Sequence, residues 1–377
     1  MKTFKLTKAE AEQLVQEYTT PLLVISQQRV VENYRFLTEY LPKVKIFYAV
    51  KSNPAMPIIK TLAELGASFD VASDGEMLQL TGMGISADRM IYANPFKTPK
   101  GLMTAKNTGV DKFTYDSESE IIKMAKAVPG GKVLLRVRID NTKALVDLNK
   151  KFGAAPEDVM RLLRLASDQG LDVAGLCFHV GSQSPNAEAH VEALQICRKL
   201  FDEAAVAGFN LRILDIGGGF PITSPDMDID IVQMVSEINT TIEKLFPHTE
   251  IWAEPGRFIC GTTMNLITSV IGTQRRNNQQ WYFLDEGIYG TFSSIIFDHW
   301  DFELESFKQT ANEVATFAGP SCDSLDVIFR DKLTPPLVVG DILVVPNCGA
   351  YTSASASEFN GFAKAEIIAL EDFKWKY

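Results

Sequence analysis

The sequence predicts an α/β protein: a (β/α)8 TIM-like barrel with a β-rich, sandwich- or barrel-like domain attached. Three observations carry that expectation. Short β-rich runs alternate with amphipathic segments from about residue 45 to 257. The runs number eight, the count that closes a parallel barrel. After Arg257 the texture changes to strand-like runs separated by turn residues, with few helical patterns.

The eight runs are 45–50, 68–72, 90–93, 112–115, 133–139, 173–180, 211–216 and 250–253. Helix-like stretches lie between them at 56–65, 118–127, 156–169, 187–207 and 229–246. Several open on a start signal, such as Asp116-Ser-Glu-Ser-Glu, and several close on a glycine, such as Gly66, Gly170 and Gly208. An open doubly wound sheet would use the same elements. The later strand-like runs are 266–272, 280–284, 313–317, 341–345 and 365–370. One early run, 21–25, precedes the barrel and finds no partner in it. It is expected to join the C-terminal sheet. The division is then a barrel over 26–258 and a discontinuous β-rich domain from 1–25 and 259–377.

The chain has 377 residues, enough for a large core and two domains. No apolar run approaches the roughly 20 residues that span a bilayer, and the first ten residues lack a signal-peptide hydrophobic region. Five cysteines at irregular spacing, with no CxxC, argue against a disulfide framework or zinc site and for a reducing, cytoplasmic setting. The four histidines show no metal-ligand spacing, so no metal is expected. A formal charge of −10 disfavours nucleic acid as a partner and mildly favours a cationic substrate. No membrane partner is expected.

Barrel enzymes carry their reactive groups at the C-terminal ends of the strands. Those ends here hold Lys51, Asp70, Arg136, His179, Gly217 to Gly219, Glu254, Gly256 and Arg257. Singly, each has an ordinary reading: a solvated lysine, a core histidine, a tight glycine turn. Together on one face they suggest a site. Glycines after strands seven and eight suit a phosphate, because backbone without side chains can bring N–H groups up to an anion. A rim lysine suits Schiff-base chemistry. The pair of features points to pyridoxal phosphate or to a sugar-phosphate aldolase.

The segments Tyr48-Ala-Val-Lys-Ser-Asn, Phe178-His-Val-Gly-Ser, Leu214-Asp-Ile-Gly-Gly-Gly-Phe, Ala253-Glu-Pro-Gly-Arg, Tyr289-Gly-Thr-Phe, Phe297-Asp-His, Gly319-Pro-Ser-Cys-Asp and Gly349-Ala-Tyr-Thr through Phe359-Asn-Gly-Phe resemble the ornithine decarboxylase family. This is the eukaryotic-type, barrel-fold group of pyridoxal 5'-phosphate enzymes. The resemblance implies decarboxylation of a basic amino acid, L-ornithine to putrescine, with lysine to cadaverine as a second activity. It implies that Lys51 forms a Schiff base with the cofactor and that Glu254 keeps the pyridine nitrogen protonated. His179 would stack on the ring, with Asp70 and Arg136 around Lys51 and the ring edge. Ser182, Gly219, Gly256, Arg257 and Tyr351 would hold the phosphate. A homodimer with shared active sites is implied, in which the partner subunit supplies Cys322 to direct protonation of the α-carbon. Asp298 and the partner's Asp323 would bind the distal ammonium, with Phe359 along the methylenes. Lys151 and Asp326 would pair across the interface.

The chain departs from the family pattern at Asp285-Glu286-Gly287, where the family usually has Asn-Asp-Gly, so no role is carried to Glu286. A polar stretch, 140–150, is expected to form a lid. Rival readings are a lysine-preferring or diaminopimelate decarboxylase of the same family, or a non-catalytic regulatory homologue. The distal carboxylate of diaminopimelate would be repelled by Asp298 and Asp323, and the retained Lys51 and Cys322 argue against a non-catalytic homologue.

Overall fold

The computed structural model describes residues 3–139, 151–223 and 229–375. The expected lid, 140–150, lies outside the described residues. The chain divides into two compact units. One comprises Val31–Pro54 and Ile59–Phe258; the other comprises Met1–Val30, Ala55–Ile58 and Ile259–Tyr377.

Helix α1 (Lys8–Glu17), strand β1 (Leu22–Ile25) and helix α2 (Gln27–Tyr40) precede the barrel strands. These are β2 (Val44–Ala49), β3 (Ser68–Val71), β4 (Met90–Tyr92), β5 (Lys112–Tyr115), β6 (Lys132–Arg136), β7 (Asp172–Cys177), β8 (Ile213–Asp215) and β9 (Glu250–Ala253). They form a closed barrel in sequence order, all parallel, and β9 pairs back onto β2 through Ile251 and Val44. Closure settles the competition with an open sheet. Strands β3, β4, β5 and β8 are buried at every position, as strands between core and helices must be.

Between them run α3 (Met56–Glu64), α4 (Asp74–Gly82), α5 (Pro99–Thr108), α6 (Glu118–Ala127), α7 (Val159–Asp168), α8 (Glu188–Val206) and α9 (Ile231–Leu245). Helix α7 shows why such segments lie on a barrel. Val159, Leu162, Leu163 and Ala166 fall on one stripe and are all buried. Phe47, Ile91, Leu134, Ala174, Cys177, Ile213 and Trp252 pack as one core cluster, with the Phe47 and Trp252 rings 4.8 Å apart. Burying each such large side chain is worth about 1.5–3 kcal/mol, so the strand ends are held on a stiff frame.

A four-residue helix, α10 (Arg257–Cys260), leads into the second unit. There β10 (Met264–Arg276), β11 (Gln279–Leu284), β12 (Glu305–Ser306), β13 (Glu313–Ala318), β14 (Val327–Thr334), β15 (Ile342–Val345) and β16 (Glu366–Ala369) follow, with a short helix α11 (Ser294–Phe297) after β11. The sheet runs β12-β15-β10-β11-β13-β14. Strand β1 is fully buried and sits between two others, antiparallel to β10 and parallel to β16. Leu22 and Val24 pack with Leu6, Leu14, Ile267, Val344 and Phe373.

Candidate active site

Lys51 lies in a single 3-10 turn, Val50–Ser52, directly after β2. The turn is fixed by Ser52, whose hydroxyl donates to the Ala49 carbonyl at 2.7 Å. From it the Lys51 amine reaches Asp70 Oδ2 at 2.5 Å. The Asp70 side chain is wholly buried while that of Lys51 is 42% exposed, so the carboxylate is fixed and the amine faces outward. Asp70 Oδ1 has no hydrogen-bond partner among the described residues. Nearby, Glu76 in the first turn of α4 accepts from the Ala72 N–H at 2.6 Å, and burial pushes its carboxyl up to about 7.

After β7, the Gly181 N–H donates to His179 Nδ1 at 2.9 Å, which leaves the ring proton on Nε2. Burial and the charges of Arg136 and Lys51 hold His179 well below its ordinary value, so the ring is neutral. Ser182 is half-buried in the same turn. The Arg136 guanidinium, at the end of β6, lies 5.1 Å over the Phe152 ring. Its Nε and Nη2 are buried with no acceptor among the described residues.

After β8 comes the glycine run. Gly217 donates to Asp215 Oδ1 at 2.8 Å. The three glycine carbonyls are all engaged: Gly217 by the Glu254 N–H at 2.7 Å, Gly219 by the Ser184 N–H at 3.0 Å, and Gly218 by His190 Nε2 at 3.2 Å. The N–H groups of Gly218 and Gly219 donate to nothing among the described residues. Gly219 has φ +95°, and a Cβ there would lie 2.6 Å from the Gly181 carbonyl oxygen, so only glycine fits. After β9, a Cβ on Gly256 would lie 2.8 Å from Ser52 Cβ. Glu254 is half-buried, and its buried Oε1 has no donor among the described residues. Burial, then the adjacent Asp215, drives the Glu254 carboxyl far up; Asp215 itself rises to about 6 through burial. The two carboxyls titrate as a pair. Arg257 is buried at the start of α10.

This rim fits pyridoxal phosphate. It offers an outward amine, glycine N–H groups left for an anion, and a buried carboxyl oxygen that lacks the donor a pyridinium would supply.

The second unit gathers a different set. Cys322 is exposed, and both its N–H and its thiol donate to Asn360 Oδ1, at 3.1 and 3.2 Å. Asn360 has φ +54°, a conformation asparagine tolerates better than most residues. The Tyr289 hydroxyl donates to Asp323 Oδ2 and the Leu325 N–H to Oδ1 at 2.9 Å. The Leu325 N–H first, then the Tyr289 hydroxyl, hold the Asp323 carboxyl below its ordinary value. Phe359 stacks on Tyr289 with centroids 4.1 Å apart. The loop rests on buried Asp326, which accepts from the Ile288 N–H at 2.9 Å and the Ser321 N–H at 3.1 Å. Asp298 is buried at the end of α11. Tyr351 has φ +56°, rare for a bulky residue and a mark of a constrained site. Sequence reasoning assigns no role to Asn360, Tyr289, Glu76, Asp215 or His190. Asn360, Tyr289 and Asp215 stand in quoted motifs, whereas the contact of His190 is tertiary and leaves no local signal.

Comparison with known proteins agrees. The family described as pyridoxal-dependent decarboxylase, pyridoxal binding domain, matches residues 27–261. A lysine/ornithine decarboxylase of Selenomonas ruminantium is 51% identical over 99% of this chain and 95% of its own. A solved structure of SrLDC in complex with PLP and cadaverine superposes with a TM-score of 0.95 at 49% identity, covering 99% of this chain and 96% of that one. A lysine/ornithine decarboxylase from Vibrio vulnificus, solved with cadaverine, gives 0.92 at 36% identity, covering 98% and 100%. The chain therefore belongs to the pyridoxal-dependent decarboxylases.

Proposed function

We propose that this chain removes the α-carboxylate from a small basic amino acid, converting L-ornithine to putrescine and lysine to cadaverine. The carrying observation is the 51% identity, over nearly the whole chain, to a lysine/ornithine decarboxylase. The cadaverine held by two similar structures favours lysine as a true second substrate. One methylene separates the two amino acids, and that difference is worth only about 1–3 kcal/mol of discrimination.

When bound, pyridoxal phosphate supplies an electron sink for the pair left at the α-carbon as CO2 departs. Lys51 would hold the cofactor through its amine. Glu254 keeps a proton at the pyridine nitrogen; its unmet Oε1 supports that role. Neutral His179 lies against the ring, and Asp70 and Arg136 order the surroundings of Lys51. Gly219, Gly256, Arg257, Ser182 and Tyr351 hold the phosphate. Asp298 and Asp323 bind the distal ammonium, and Asp323, held below its ordinary value, is ionised for it. Phe359 covers the methylenes.

The working form in this proposal is a head-to-tail homodimer in which Cys322 of the partner subunit delivers the proton to the α-carbon, and Asp323 of the partner subunit joins the ammonium site. Lys151 and the partner's Asp326 pair between subunits. The cytoplasm is the proposed compartment, supported by five cysteines that are all unbonded. CO2 release from ornithine, lysine, arginine and diaminopimelate, each at one concentration, tests the reading. Ornithine and lysine should lead; diaminopimelate turnover above both would overturn it.

A further inference from the structure

We infer that His190 is a positioning residue for the phosphate cradle, acting through the carbonyl of Gly218. The inference rests on the reading that Gly217 to Gly219 receive the cofactor phosphate. In a trans peptide the C=O of one residue and the N–H of the next point in opposite directions. Whatever grips the Gly218 carbonyl therefore aims the Gly219 N–H the other way. Glycine imposes little preference of its own, so these peptide planes need outside anchors. The planes after Gly217 and Gly219 are anchored by backbone N–H groups, from Glu254 and Ser184. The plane between Gly218 and Gly219 is anchored by a side chain, His190 Nε2 at 3.2 Å.

The surroundings of His190 suit that task. The residue lies in the first turns of α8 with no solvent exposure. Its ring lies 5.2 Å from that of Phe220, tilted by 32°, and packs edge-on to Phe178 at 6.4 Å. A carbonyl accepts, so Nε2 carries the proton, and Nδ1 is left with no partner among the described residues. Burial pulls the ring down to about 4, keeping it neutral, so it adds no charge that would change phosphate affinity by itself. A phenylalanine would fill the same aromatic slot without the unmet nitrogen. The imidazole is explained by its one donor, and that donor goes to the cradle.

The test titrates the full-length chain, freed of cofactor, with pyridoxal phosphate and separately with pyridoxal, which lacks the phosphate. Binding is read by absorbance. His190→Phe and His190→Leu, both without a donor, should lower the preference for pyridoxal phosphate over pyridoxal by about tenfold, the scale of one lost hydrogen bond. His190→Gln, which keeps an N–H at similar reach, should restore most of it. A purely structural role would weaken both ligands alike, and an unchanged ratio in the donorless variants would overturn the inference. If wild-type protein itself showed no preference for the phosphorylated form, and Gly219→Ala changed nothing, the cradle reading would fail first and take the inference with it.

Discussion

Glu286 joins a raised carboxyl to a tightly built corner of the second unit. Its oxygens accept from the Gly287 N–H at 2.9 Å and the Thr291 hydroxyl at 2.8 Å, yet burial pushes it up from 4.5 to about 7. The folded chain therefore holds this proton more tightly than the unfolded chain. Folding takes up protons between those values, so stability falls as pH rises from about 4.5 to about 7 and stays lowered above that. The full effect is roughly 3 kcal/mol. Glu286→Gln removes the charge, and the Thr291 hydroxyl can turn to accept from the new amide. The variant should gain stability over wild type by pH 8 and show little gain at pH 4.5, measured by denaturant midpoints; a gain independent of pH would contradict the assignment. Asp298 belongs to the same scale. Losing one buried partner of a substrate cation costs about 2–5 kcal/mol, so Asp298→Ala should lower kcat/KM for ornithine by roughly 30-fold to a few thousand-fold. Retention of wild-type kcat/KM would remove Asp298 from the ammonium site. Lys51, Asp70, Glu254 and the glycines were legible because a strand end is a position that sequence can read. Asn360 and His190 were not, because each acts by a contact across the fold and no spacing rule announces such a contact.

Among the elements, β1 carries most of the connection between the N-terminal segment and the sheet. It is fully buried and paired on both sides. Leu22→Ala opens a cavity in that core and should cost about 2–5 kcal/mol, whereas Leu333→Ala, at a side chain 65% exposed on β14, should stay within about 0.5 kcal/mol. Equal shifts in the denaturation midpoint would contradict the central place of β1. The barrel strands were readable from period and burial, but three other features were harder. Strand β14 reads Val-Ile-Phe-Arg-Asp-Lys-Leu-Thr, and its exposed charges at the sheet edge break the apolar pattern. Strand β10 extends to Arg276, past the expected end at 272, because Asn277 and Asn278 both take positive φ and make a tight hairpin. Helix α1 begins at a capping box between Thr7 and Glu10, a real signal hidden within alternating lysines and apolar residues.

For the whole molecule, the (β/α)8 architecture was legible because eight parallel strands impose a repeating pattern on more than half of the chain. Assembly is proposed from resemblance alone, since nothing local in a sequence states which surface meets a second copy. Mixing inactive Lys51→Ala with inactive Cys322→Ala tests the shared site. Random exchange makes half of the dimers mixed, each with one intact site, so activity should return to about a quarter of wild type. No recovery, with exchange confirmed, would contradict sharing. The central claim is that this chain decarboxylates through a cofactor held by Lys51. It is tested most directly by CO2 release from ornithine in wild type and in Lys51→Ala, both saturated with pyridoxal phosphate and both shown folded. Wild type should release CO2 briskly, and the variant should lose roughly three orders of magnitude of that rate. Turnover by Lys51→Ala near the wild-type rate would contradict it.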